Sequence, residues 1–148
     1  MKPSPKKLKE TKEIYEKAWA THENYLEWTK QVGLKVVSVE EHLVYNDLWG
    51  VTPDIIAEVN GKLSVMEVKC TKAIHPEFLV QMAAQRMAWD SNYPTNPIAG
   101  GFHVLRLPVE HQGFHYHYWG VDELNDAAYA YERAYQLYQL EKKIKKLL

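Results

Sequence analysis

Asn60-Gly61 sits between two apolar, β-branched runs, residues 54–59 and 62–70. Asn-Gly in that setting is the strongest short-range signal for a two-residue hairpin, because both central positions of the turn need positive φ. A loop of that length fixes the register: Val59 faces Lys62, Ile56 faces Val65, and Asp54 faces Glu67. Directly opposed residues project to the same side of a sheet, and so does the residue two further along either strand. Asp54, Glu67 and Lys69 are therefore expected in one cluster, with Met66 and Val68 pointing the other way.

Around that hairpin the chain reads as a mixed α/β domain. Residues 1–6 look like a loose lead-in, with Pro3 and Pro5. Apolar residues at three-to-four spacing predict a helix over 6–32, with Gly33 placed to end it. Val36, Val37, Val39 and Val44 suggest one long strand over 34–45. Residues 46–53 read as a connection. A second helix is expected over 77–89, strands over 102–107 and 114–119, and a long amphipathic helix over 121–148. Its buried stripe would use Leu124, Ala128, Tyr131, Tyr135, Tyr138 and Leu147. The order α-β-β-β-α-β-β-α implies a mixed central sheet flanked by helices. A length of 148 residues suits a single domain, 1–148.

Several function classes fall away early. The single cysteine, Cys70, rules out an internal disulfide, a four-cysteine zinc site and an iron–sulfur cluster. Cys70 itself is expected to pack in the core. There is no phosphate-cradling glycine loop and no G-x-S-x-G motif. No apolar run approaches the roughly 20 residues that cross a bilayer, so no membrane partner and a cytoplasmic location are expected. His115 and His117 share a strand face near His103, without a carboxylate or cysteine at ligand spacing; stacking on a surface strand explains them better than zinc. The formal net charge is −1. It averages a +3 segment at each end, residues 1–17 and 141–148, with −7 between them.

The cluster itself points to chemistry. Two carboxylates opposed across a ladder repel one another, so the sheet gains nothing from them. A divalent cation reverses that sign, and hard oxygen ligands suit Mg²⁺ or Mn²⁺. A metal there lowers the pKa of bound water and offsets charge on a phosphate. Lys69 would orient the water or stabilise the phosphorus centre. The plainer alternative is that Lys69 simply neutralises Glu67 on a sheet face.

Pro53-Asp54, a hairpin, then Glu67-Val68-Lys69 resembles the PD-(D/E)xK nuclease superfamily, which has the restriction-endonuclease-like fold. Glu10-Thr11-Lys12 and Glu141-Lys142-Lys143 also fit E-x-K, but only Glu67-Val68-Lys69 lies on an apolar strand opposite an aspartate. The segment from Leu79 to Gln85 resembles the Q-x-x-x-Y helix of RecB-like and phage-type exonucleases, with Gln85 where tyrosine is usual. The likeness covers about residues 22–90. It implies that Asp54, Glu67 and the Val68 carbonyl hold the metal, and that Gln81 positions water or phosphate. A third acidic ligand would come from Glu40 or Glu27. Trp49, Gln85 and Lys72 are candidate nucleic-acid contacts, Trp49 by stacking on a base.

The resemblance implies a Mg²⁺-dependent DNA exonuclease in phage or mobile-element recombination or repair, and it allows a homo-oligomer as well as a monomer. As the second choice, Asp54-Ile55-Ile56-Ala57 before Glu-Val-Lys is also similar to endonucleases of the Holliday-junction-resolvase or viral replication-and-repair type. A third reading is an inactive nuclease-fold module that binds nucleic acid or protein.

Overall fold

The computed structural model describes residues 4–107 and 114–148. It is an α/β fold with three helices and a mixed five-stranded sheet. The elements are α1 (Pro5–Gln31), β1 (Lys35–Val39), β2 (Leu43–Tyr45), β3 (Trp49–Val51), β4 (Ile55–Val59), β5 (Lys62–Lys69), α2 (Pro76–Asn92), β6 (Phe102–Arg106), β7 (His115–Trp119) and α3 (Asn125–Lys145). The main sheet has the order β1-β4-β5-β6-β7. Only β5 and β6 run parallel, joined through α2; the other neighbours are antiparallel.

The hairpin register is the expected one, from Val59 opposite Lys62 to Ile55 opposite Met66. Asn60 and Gly61 take φ values of 51° and 76°, the left-handed pair that a tight hairpin demands. The strand expected over 34–45 is broken in two. Glu40 takes a φ of 49°, which ends β1, and β2 leaves the main sheet. β2 then pairs with β3, which lies inside the expected connection, as a separate two-stranded ribbon.

Alternation along β5 sorts the core into two layers. Leu63 and Val65 face α2 and pack with Ile56, Phe102, Val104, Met82, Trp89 and Leu43. Met66 faces the other way and packs with Leu105 and Trp28 of α1, flanked by Ile55 and Tyr25. The ribbon packs on α2, as does α3.

Expectations at the two ends of the chain and at Cys70 change. Met1–Pro3 lie outside the described residues, but Pro5 and Lys6 are helical: Ser4 caps α1 through its side chain and Pro5 occupies the first turn. The last helix starts four residues later than expected. Within its stripe Leu124 is buried and Ala128, Tyr131 and Tyr135 are partly covered, while Tyr138 and Leu147 are exposed, because α3 has α2 beneath its first turns only. Cys70 is exposed rather than packed in the core; β5 ends at Lys69, so strand alternation no longer aims it inward.

A candidate carboxylate centre

Asp54 stands one residue before β4, and Glu67 and Lys69 close β5. Where the β4–β5 ladder ends, the Asp54 side chain takes over: the Val68 N–H donates to its Oδ2 at 3.3 Å. Glu67 is 3% exposed and projects toward α2. Its Oε2 lies 2.9 Å from Lys69 Nζ, and that ammonium also sits 4.7 Å above the Phe78 ring. The cluster expected from the hairpin count is therefore assembled at the end of β5.

Glu67 Oε1 accepts a 2.6 Å hydrogen bond from Gln85 Nε2, donated from the buried face of α2. The Gln85 carbonyl oxygen is buried with no hydrogen-bond partner. An isolated glutamine within Met82–Ala84 and Ala88-Trp89 carries a readable signal: in an apolar run a buried polar side chain needs a partner.

Burial raises the Glu67 pKa above the ordinary carboxylate value. The hydrogen bonds from Gln85 and Lys69 oppose the rise, and the adjacent Asp54 carboxyl adds to it. Two acids share one corner with a single ammonium, an arrangement that favours an added positive charge.

The remaining candidates fall elsewhere. Gln81 is exposed, one turn before Gln85, and it is Gln85 that touches the carboxylate. Glu40 meets Asp54 through the backbone, its N–H donating to the Asp54 carbonyl at 3.0 Å, and its side chain is exposed. Glu41 accepts from Ser38 and Tyr93, and those bonds, Tyr93 first, lower its pKa. Glu27 is exposed on α1, bonded to Gln31. Since α1 packs on the sheet face opposite Glu67, the first helix does not bring an acid to the cluster.

Trp49 is half-buried, stacked on Tyr45 and edge-on to Tyr131, each with centroids 4.6 Å apart. Lys72 is exposed in the β5–α2 loop, where its carbonyl and that of Thr71 accept from the Arg106 guanidinium. His103 and His117 point to opposite sheet faces: His103 bonds Tyr116 and Ser64, and His117 stacks on Trp119. Among the described residues no three His, Cys, Asp or Glu side chains gather as a metal group, and no helix is long and apolar enough to cross a membrane. No family model matches the chain, and no curated protein matches it.

Proposed function

We propose that this chain is a metal-dependent nuclease of the PD-(D/E)xK type, with a restriction-endonuclease-like core, that hydrolyses phosphodiester bonds of DNA. The observation that carries the reading is the buried Glu67 carboxylate beside Asp54, with Lys69 two residues along the same strand. A structural ion pair would need one acid; the second makes sense beside a cation.

The residues fit a divalent metal. Asp54 and Glu67 are hard oxygen donors, and the raised pKa of Glu67 and the unpartnered Gln85 carbonyl oxygen mark a place short of positive charge. Asp54, Glu67 and the Val68 carbonyl would hold Mg²⁺ or Mn²⁺, which supplies acidified water and charge stabilisation at the phosphate. Lys69 would keep a proton-bearing ammonium at the attacking oxygen or at the charged phosphorus centre. Gln85 would hold Glu67 in its ionised form. Exonuclease action, in phage or mobile-element recombination or repair, is the form favoured by the Gln81–Gln85 helix.

The test is cleavage of end-labelled linear and closed circular DNA with Mg²⁺, Mn²⁺ or EDTA. Metal-dependent loss of linear DNA, abolished in Asp54→Ala and Lys69→Ala, is expected. Cleavage that survives both substitutions would remove the site. Cutting of circular or four-way-junction DNA would move the reading to an endonuclease, and no cleavage of any DNA to a binding module.

A further inference from the structure

We infer that α1 is the interface of a homodimer in which two copies of the helix pack antiparallel about a two-fold axis. At 27 residues α1 is about 40 Å long, yet its only buried residue is Trp28, in its last turn. Helices draw most of their stability from a packed apolar face rather than from propensity. The apolar face of α1 is in place but uncovered: Leu8 is 55%, Tyr15 69%, Trp19 56% and Leu26 43% exposed. With Lys12 and His22, these side chains alternate in steps of four and three, the spacing of a helix-to-helix seam. The open surface continues onto the sheet. Edge strand β1 leaves Val36 and Val39 exposed, and their register opposite Ala57 and Ile55 puts them on the face that α1 covers.

Charge chooses the partner and its direction. Residues 5–17 hold five lysines and three glutamates, and residues 18–31 hold two glutamates and one lysine, so the two halves of α1 are +2 and −1. A parallel pair would set Lys6, Lys7 and Lys9 against themselves. An antiparallel pair centred between Tyr15 and Trp19 places Leu8 beside the partner's Leu26 and Tyr15 beside the partner's Trp19. The same register brings Lys7 and Lys9 to the turn that holds the partner's Glu23 and the partner's Glu27. One patch is thus complementary to its own copy, as a closed two-fold interface requires. This inference is independent of the proposed nuclease activity.

Light scattering on the eluting full chain should give twice the 17.3 kDa monomer mass. Tyr15→Glu with Trp19→Glu should halve that mass and leave the melting transition of the core in place. In a Cys70→Ser background, mild oxidation should cross-link Leu8→Cys/Leu26→Cys into a dimer and leave Leu8→Cys alone uncross-linked. A monomer mass at every concentration, a dimer that persists in the glutamate variants, or cross-linking through Leu8→Cys alone would overturn the assignment. So would a monomeric chain that instead binds phosphatidylglycerol vesicles through the same residues.

Discussion

Gln85 and Glu67 are joined by a 2.6 Å hydrogen bond between the buried face of α2 and the end of β5. Because the Gln85 carbonyl oxygen has no partner, this side chain serves the carboxylate more than it serves the fold. Replacing it with leucine removes one unsatisfied acceptor but leaves a buried carboxylate oxygen without its donor, a cost of about 1–3 kcal/mol. The bond also favours ionised Glu67, so its loss lifts that pKa further. On the proposed chemistry, Gln85→Leu should cut turnover by about tenfold or more, within the range of losses for a misplaced catalytic group. A pH–rate profile should show the acidic limb moved to higher pH, and urea unfolding should show a stability loss of about 1–3 kcal/mol. An unshifted limb would assign Gln85 to packing alone.

Glu67→Gln should separate activity from stability. The folded-state pKa of Glu67 lies above its unfolded value, chiefly through burial. Stability from this group is therefore full below the unfolded pKa and is lost as pH rises through the folded one. A neutral isostere removes that loss, so at pH 7 the variant should melt higher than the parent in metal-free buffer, and on the proposed chemistry it should not cleave. A lower melting temperature at pH 7 would show that the Lys69 pair outweighs the cost of burial.

His103 should make the fold sensitive to mild acid. It is 4% exposed, with Nδ1 2.7 Å from the Tyr116 hydroxyl and Nε2 3.2 Å from Ser64 Oγ. The Ser64 hydroxyl donates to the Lys62 carbonyl. A neutral ring with its proton on Nε2 satisfies the whole chain, with Tyr116 donating to Nδ1. Burial pushes the pKa down from 6.5 to about 4, against a smaller opposing bond with Gly100. A depressed folded pKa means that the stability is complete above the unfolded value and drains away between pH 6.5 and 4. The full loss is about 3 kcal/mol at 1.36 kcal/mol per unit. Chemical unfolding at pH 7 and pH 4.5 should show this fall, and His103→Gln should flatten it. An equally steep fall in the variant would assign the acid sensitivity to the carboxylates.

Gly100→Ala tests the same corner sterically. A Cβ there would run into Ser64 Oγ and lie 2.8 Å from the Lys62 carbonyl oxygen, in the turn that feeds β6. Backbone does not yield, so the cost should be about 1–3 kcal/mol, as for an overpacked core. Urea titration reads it directly, and a Ser64→Gly partner should recover little, because the carbonyl contact remains.

How far the chain could be read depended on whether local chemistry or distant packing decided each element. Asn60-Gly61 and the pleat are local, so the register and the Asp54–Glu67–Lys69 grouping were legible. Asn46 and Asp47 take the same left-handed conformation, with φ of 46° and 58°, and turn β2 into β3. Without a glycine, and with three-residue strands on either side, that second hairpin resembled a connection. The break after Val39 was hidden for a similar reason: a glutamate holds the positive φ where glycine would have announced it. The carboxylate's amide partner depended on which turn of α2 lies over Glu67, and Gln81 and Gln85 are one turn apart. The stripe of α3 was sound in period, but period does not say where the neighbour ends.

The ribbon β2–β3 and the middle of α2 meet the two acids from different directions. Asn92 and Ser91, at the far end of α2, bind the Val44 carbonyl and Asn46 in the ribbon that delivers the chain to Asp54. Two turns earlier, the same helix grips Glu67. One rod thus gauges both carboxylates, and their spacing is not left to the flexing of the hairpin alone. Damage to the seat of that rod, for example at buried Trp89, would therefore reach both acids through one helix.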